Sequence, residues 1–200
     1  MISKKHSPGR FLIIGFCIIL AVIVADQYSK WLVMETMLRV GGDTPSFGQW
    51  FVTGKPIPSG LEGAATATEY AVREISPNLT LRMVWNCGIS FGMLDSCGQG
   101  MQITLIGLAL CISLALLIWM AIARHVLIGF AVPLIVGGAV ANVIDRIRFK
   151  AVADFVDVYY GQHHWPAFNL ADACIVVGAI LLGIDAIFNK DGAEPQKKKK

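Results

Sequence analysis

Apolar positions along the chain gather into four long runs separated by polar, turn-rich segments. The first run is residues 11–25, FLIIGFCIILAVIVA. A short basic head precedes it, but no small-residue cleavage site follows. The chain continues as DQYSKWLV, so a retained helix over about 11–34 is expected. Further runs cover about 101–122, 126–144 and 173–188. Each is near the ~20 residues that cross a hydrocarbon core. Between the first two runs, GGDTPSFGQW and GKPIPSGLEG are rich in turn formers. The Ala-rich EGAATATEYAVREI at 62–75 predicts a short surface helix. NLTLRMVWN alternates and ends in aromatic and branched residues, which predicts a strand. The expected fold is an all-α membrane protein with four transmembrane helices, a small extracytoplasmic β element and a short surface helix. It forms one domain over residues 1–200.

Composition agrees with the pattern. Hydrophobic residues are 55% and charged residues only 16%, with mean hydropathy +0.60. A soluble domain carries about a quarter charged residues. The net charge of +3 matters less than its placement. Basic residues crowd the two ends: Lys4, Lys5 and Arg10 at the start, Lys190 and Lys197 to Lys200 in the tail 189–200. Both clusters flank apolar runs, which marks them as membrane anchors rather than a nucleic-acid surface. The same bias predicts cytoplasmic termini. Five cysteines without CxxC spacing do not form a zinc or disulfide framework. Cys87 and Cys97 share one loop and are placed to form a disulfide.

Ionisable groups at the edge of a span are costly, which makes each a functional candidate. Asp26 and Lys30 end the first run four residues apart, the spacing of a helical ion pair. Asn86 and Ser90 precede the second span. Asn142, Asp145 and Arg146 end the third. Asn169 and Asp172 open the fourth, where Asn169 is a natural N-cap and Asp172 faces the positive end of the helix. Asp145, beside Arg146, suits a paired acid that orients loops. His163 and His164 lack spaced carboxylate partners, so no metal site is expected.

Asp154 is harder to explain by structure alone. It lies in AVADFVDVYY, a strand-like run in which Asp154 and Val156 share one face and Phe155 and Asp157 the other. Asp154 has no neighbouring Lys or Arg after Lys150 to neutralise it. A loop that folds back brings Asp154 to Asp172. Two carboxylates that close share one proton, so one serves as base and the other as acid. That chemistry hydrolyses a peptide bond without metal, nucleophilic serine or cofactor.

DQYSK, NCGISFGML, GGAVANVIDR, VADFVDVYY and FNLAD occur in this order along the four spans. Together they resemble the lipoprotein signal peptidases, also called signal peptidase II or prolipoprotein signal peptidase, over about residues 10–190. The resemblance implies an aspartic endopeptidase of the bacterial inner membrane. Such an enzyme removes the signal peptide from prolipoproteins whose lipobox cysteine carries a diacylglyceryl group, cutting just before that cysteine. It implies Asp154 and Asp172 as the catalytic pair. Asn86, Asn142, Arg146 and Asn169 match family positions that support substrate or dyad, and Asp26, Lys30 and Asp145 match further motif positions. Expected partners are prolipoproteins with a lipid-modified cysteine and membrane lipid; the chain is expected to be a monomer without cofactor, metal or nucleic acid. The active site is expected near the outer face. Residues 41–78 exceed the family pattern and read as an insertion, so rim contacts with substrate are not carried over. Two rivals are an ion-coupled carrier, which would place acids at mid-span, and a non-catalytic relative, which would have lost one acid of the pair.

Overall fold

The computed structural model describes residues 8–54, 70–88, 98–122 and 125–188. Helix α1 (Pro8–Trp31) continues as a π-helical segment, Leu32–Leu38. The surface helix α2 (Phe47–Thr53) follows, then strands β1 (Arg73–Ser76) and β2 (Leu79–Asn86). Helices α3 (Gln99–Ile122) and α4 (Ile128–Phe149) come next. Strands β3 (Val152–Tyr160) and β4 (His163–His164) and helix α5 (Leu170–Phe188) complete the described chain. Four helical stretches are long and apolar enough to cross a membrane: Leu12–Leu38, Gln99–Ile122, Ile128–Phe149 and Leu170–Phe188.

Helix α4 is the centre of the bundle. Its most apolar window is 67% buried, against 17% to 22% for the other three. The outward residues of those three are Leu, Ile, Val and Phe, as lipid demands. Glycines set how close the neighbours come. A Cβ at Gly138 would sit 2.4 Å from the Ala171 carbonyl oxygen of α5, and one at Gly178 would sit 2.7 Å from the Ala131 carbonyl of α4. A Cβ at Gly137 would meet Val22 of α1 at 2.9 Å. Small residues let helix backbones approach where no hydrophobic force drives helices together.

The strands form one antiparallel sheet in the order β1-β2-β3-β4. Its inner face packs on the π-helical segment, α2 and the end of α4. Met34, Leu38, Trp50, Leu81, Met83, Trp85, Phe149 and Phe155 form that core. Val84 lies opposite Asp154 and Asn86 opposite Val152, which fixes the register where polar side chains matter.

Several expectations change. The third span runs to Phe149 rather than 144, so Asn142, Asp145 and Arg146, expected at its end, lie within the last turns of α4. The helix persists because these side chains find partners, and Lys150 stops it in the left-handed region with φ 66° and an N–H bonded to the Arg146 carbonyl. The surface helix is at 47–53, where turns were expected. Ser46 and Gln49 form a capping box there. Of the expected helix at 62–75, residues 62–69 lie outside the described residues. Arg73–Ser76 are extended, because Arg73 and Glu74 pair with Leu81 and Thr80 of a strand whose own edge needs a neighbour.

Candidate active site

The site forms where the ends of α4, α5 and β3 meet. Asn169 is the residue before α5, and it builds a reciprocal cap with Asp172. The Asp172 N–H donates to Asn169 Oδ1 at 3.0 Å, and the Asn169 N–H donates to Asp172 Oδ2 at 3.1 Å. The first turn therefore locks the Asp172 carboxylate. Its other oxygen accepts from Asn142 Nδ2 of α4 at 2.8 Å. The Asn169 amide also donates to Asp154 Oδ1 at 2.7 Å and approaches Asn142 Oδ1 at 3.2 Å. Asn142 and Asn169 thus bridge the two acids. The cap and the bridging role of Asn169 prove to be one arrangement.

Asp154 is 1% exposed. Its Oδ2 accepts from Asn86 Nδ2 of β2 at 3.0 Å. Asn86 is itself held, since its Oδ1 accepts the Gly88 N–H at 3.1 Å. Among the described residues no Lys or Arg forms an ion pair with Asp154 or Asp172. Burial, and then the neighbouring charge of Asp172, push the Asp154 carboxyl well above the usual carboxylate range. The amides of Asn86 and Asn169 and the charge of Lys30 pull the other way without prevailing. Arg146 stands close by. Its Nη2 donates to the Gly88 carbonyl at 3.2 Å, while its buried Nε has no acceptor among the described residues.

Behind this pair lies a second polar cluster. Lys30 Nζ sits 2.6 Å from Asp26 and 2.7 Å from Asp145, and all three are fully buried. The expected Asp26–Lys30 pair exists, but the cation partner of Asp145 is Lys30 rather than the adjacent Arg146. Successive helical residues point about 100° apart, so sequence neighbours on α4 face different groups. Asp26 Oδ1 accepts the Ala171 N–H at 3.0 Å, and Asp145 Oδ2 accepts the Ala153 N–H at 3.1 Å. Each carboxylate grips the residue just before one member of the pair.

Every candidate acid and amide therefore converges on one region. Ser90 and Cys97 lie outside the described residues, while Cys87 is buried and disulfide-bonded. Gln27, Gln102 and Arg148 are among the polar residues that the sequence pattern did not single out. Gln102 lies in the first turn of α3 and its amide donates to the Cys87 carbonyl at 2.7 Å, which ties α3 to the residue that follows β2. Their signal was the one used for the others, a polar side chain where lipid or core is expected. His164 instead binds Asp157, at 2.9 and 3.0 Å.

The family model for signal peptidase II matches residues 18–188. The chain belongs to the signal peptidase II family. It is 42% identical to the lipoprotein signal peptidase of Cupriavidus pinatubonensis over 188 residues, covering 92% of this chain and 89% of that protein. A match to the enzyme of Cupriavidus taiwanensis is also 42% identical, over 58% of this chain and 66% of the relative. A solved bacterial membrane enzyme shares the fold with a TM-score of 0.65 at 24% identity, covering all of both chains. The protein is a bacterial membrane protease of this family, whose activity is the removal of signal peptides from prolipoproteins.

Proposed function

We propose that the protein is an aspartic endopeptidase that cuts diacylglyceryl-modified prolipoproteins just before the modified cysteine, with Asp154 and Asp172 as the catalytic pair. One observation carries the reading: a buried carboxyl pushed well above the usual carboxylate range by burial and by a second carboxylate, both bound by amides and neither in an ion pair with a Lys or Arg among the described residues. Structural acids are neutralised by cations; a shared proton is what acid–base hydrolysis requires.

The proton rests on Asp154. Asp172, at the positive end of α5, takes a proton from water, and the water oxygen attacks the carbonyl before the cysteine. Asp154 donates its proton to the carbonyl oxygen. The Nε–H of Arg146, without an acceptor among the described residues, is the donor that steadies the developing oxyanion. Collapse breaks the C–N bond, and the amine leaves with a proton from the pair. No metal or cofactor takes part. The bond lies at the outer ends of the spans, both termini are cytoplasmic, and the acyl chains enter from the bilayer between helices. The enzyme acts as a monomer.

A gel-shift assay in detergent tests this. The purified protein meets a diacylglyceryl-modified prolipoprotein, the same substrate without lipid, and the Asp154→Asn variant serves as control. Cleavage of the lipidated substrate alone, lost in the variant, is the expected result. Cleavage that survives Asp154→Asn assigns the chemistry to another acid.

A further inference from the structure

Gln27 and Arg148 have no part in the chemistry above, yet they join two regions that matter to it. Gln27 lies in α1 and is 2% exposed. Its Nε2 donates to Asp145 Oδ1 at 2.8 Å and lies 3.2 Å from Asp26 Oδ2. Its Oε1 accepts from Arg148 Nη1 at 2.8 Å. Arg148 Nη2 donates to the Trp50 carbonyl of α2, also at 2.8 Å. The guanidinium carbon lies 4.2 Å from the centre of the Trp50 ring, 4.6 Å from Phe51 and 4.4 Å from Phe149. Gly54, just past α2, makes room for it: a Cβ there would come within 2.8 Å of Nη2.

The far side of Gln27 leads to the site. Asp26 holds the Ala171 N–H and Asp145 holds the Ala153 N–H. Those residues precede Asp172 and Asp154. A continuous run of hydrogen bonds therefore connects the backbone of α2, through one guanidinium and one amide, to the backbone on both sides of the site. α2 is only seven residues long, so it needs such an anchor to hold one position.

We propose that Arg148 and Gln27 are positioning residues that couple the seating of α2 to the relative placement of Asp154 and Asp172. The role in turnover rests on the aspartic reading given above. The planar fork of arginine suits the task, because two of its N–H groups meet two separate acceptors while its faces pack on rings. A lysine would keep the charge and lose one of the two bonds.

A double-mutant cycle tests the coupling with Gln27→Ala, Arg148→Lys and both together, beside the intact enzyme and Asp154→Asn. Two readouts are taken on folded protein in detergent: amide hydrogen exchange at Ala153 and Ala171, and kcat and KM on the lipidated prolipoprotein. Exchange at both amides is expected to rise in each single variant and to rise no further in the double. kcat is expected to fall about tenfold to a hundredfold in each single variant, with KM changed less than about twofold and no further fall in the double. Gly54→Ala, which displaces the guanidinium without touching its charge, is expected to reproduce the loss. Unchanged exchange, effects that multiply in the double, or full activity in Arg148→Lys would overturn the proposal. Coupled exchange in an intact protein that cleaves nothing would instead leave the coupling standing and overturn the aspartic reading.

Discussion

Asp154 and Asp157 lie three residues apart on the same strand, and both are almost fully buried, at 1% and 2% exposed. Their surroundings differ in kind. Asp157 meets Arg82 Nε at 2.8 Å and His164 Nδ1 at 2.9 Å. His164 in turn stacks on Tyr159, which ties the β3–β4 hairpin together. Among the described residues Asp154 hydrogen-bonds to amides and forms no ion pair, and the neighbouring Asp172 outweighs the more distant charge of Lys30. Burial alone therefore does not make a catalytic acid. A cation beside the carboxylate fixes its charge and makes it structural; its absence leaves a proton free to move. The Lys30 cluster repeats the lesson deeper in the molecule, where two carboxylates stand against one ammonium and serve as clamps on the backbone.

The comparison breaks first if the wrong acid matters. Asp154→Asn and Asp172→Asn are each expected to reduce cleavage by about a thousandfold or more, the upper part of the range for general acid–base groups. Thermal melting of the purified proteins should stay close to that of the intact chain. A melting loss equal to the loss of activity would make these acids structural too.

Lys30→Met tests the opposite role. It leaves Asp26 and Asp145 buried without their cation, a change that costs about 3–5 kcal/mol of stability. Denaturant unfolding is the measurement, and a stability near that of the intact protein would refute the clamp.

Asn86→Leu sharpens the account of Asp154 itself. The Asn86 amide favours the charged carboxylate, so its removal raises the Asp154 pKa further. If protonated Asp154 is the acid, activity is lost as pH rises through its pKa. The basic limb of the pH profile of kcat/KM should therefore move to higher pH, with the maximal rate down about tenfold. A shift to lower pH would reverse the assignment of the two aspartates. The smallest change in rate is expected for Asp157→Asn, which should stay within about threefold in kcat while losing about 1–2 kcal/mol of stability with its contacts to Arg82 and His164.

Much of this molecule was readable along the chain. The four spans follow from run length, and β2 and β3 from alternation between turn formers. Asp154 stood out because its neighbours offered no cation, and Asp172 because it opened an apolar helix. The misreadings share one cause. α2 was taken for a turn because Gly, Pro and Ser outweighed a two-residue capping signal, Ser46 with Gln49. Local propensity predicts helix for residues 73–75 because it cannot see that β2 offers an open edge. Asp145 was placed beside Arg146 because adjacency in sequence hides the turn of the helix.

The sequence by itself determined the membrane class, the number of spans and which acids are candidates for the chemistry, since these depend on residue type and on spacing within one element. Only the tertiary structure decided which acid has a cation, which amides bridge the pair and how α2 reaches the site through Arg148 and Gln27. Many of those contacts join residues far apart in the chain; Gln27 and Asp145 are 118 positions apart. Their energies depend on distances of a few ångströms in a medium of low dielectric, and no local pattern encodes such distances.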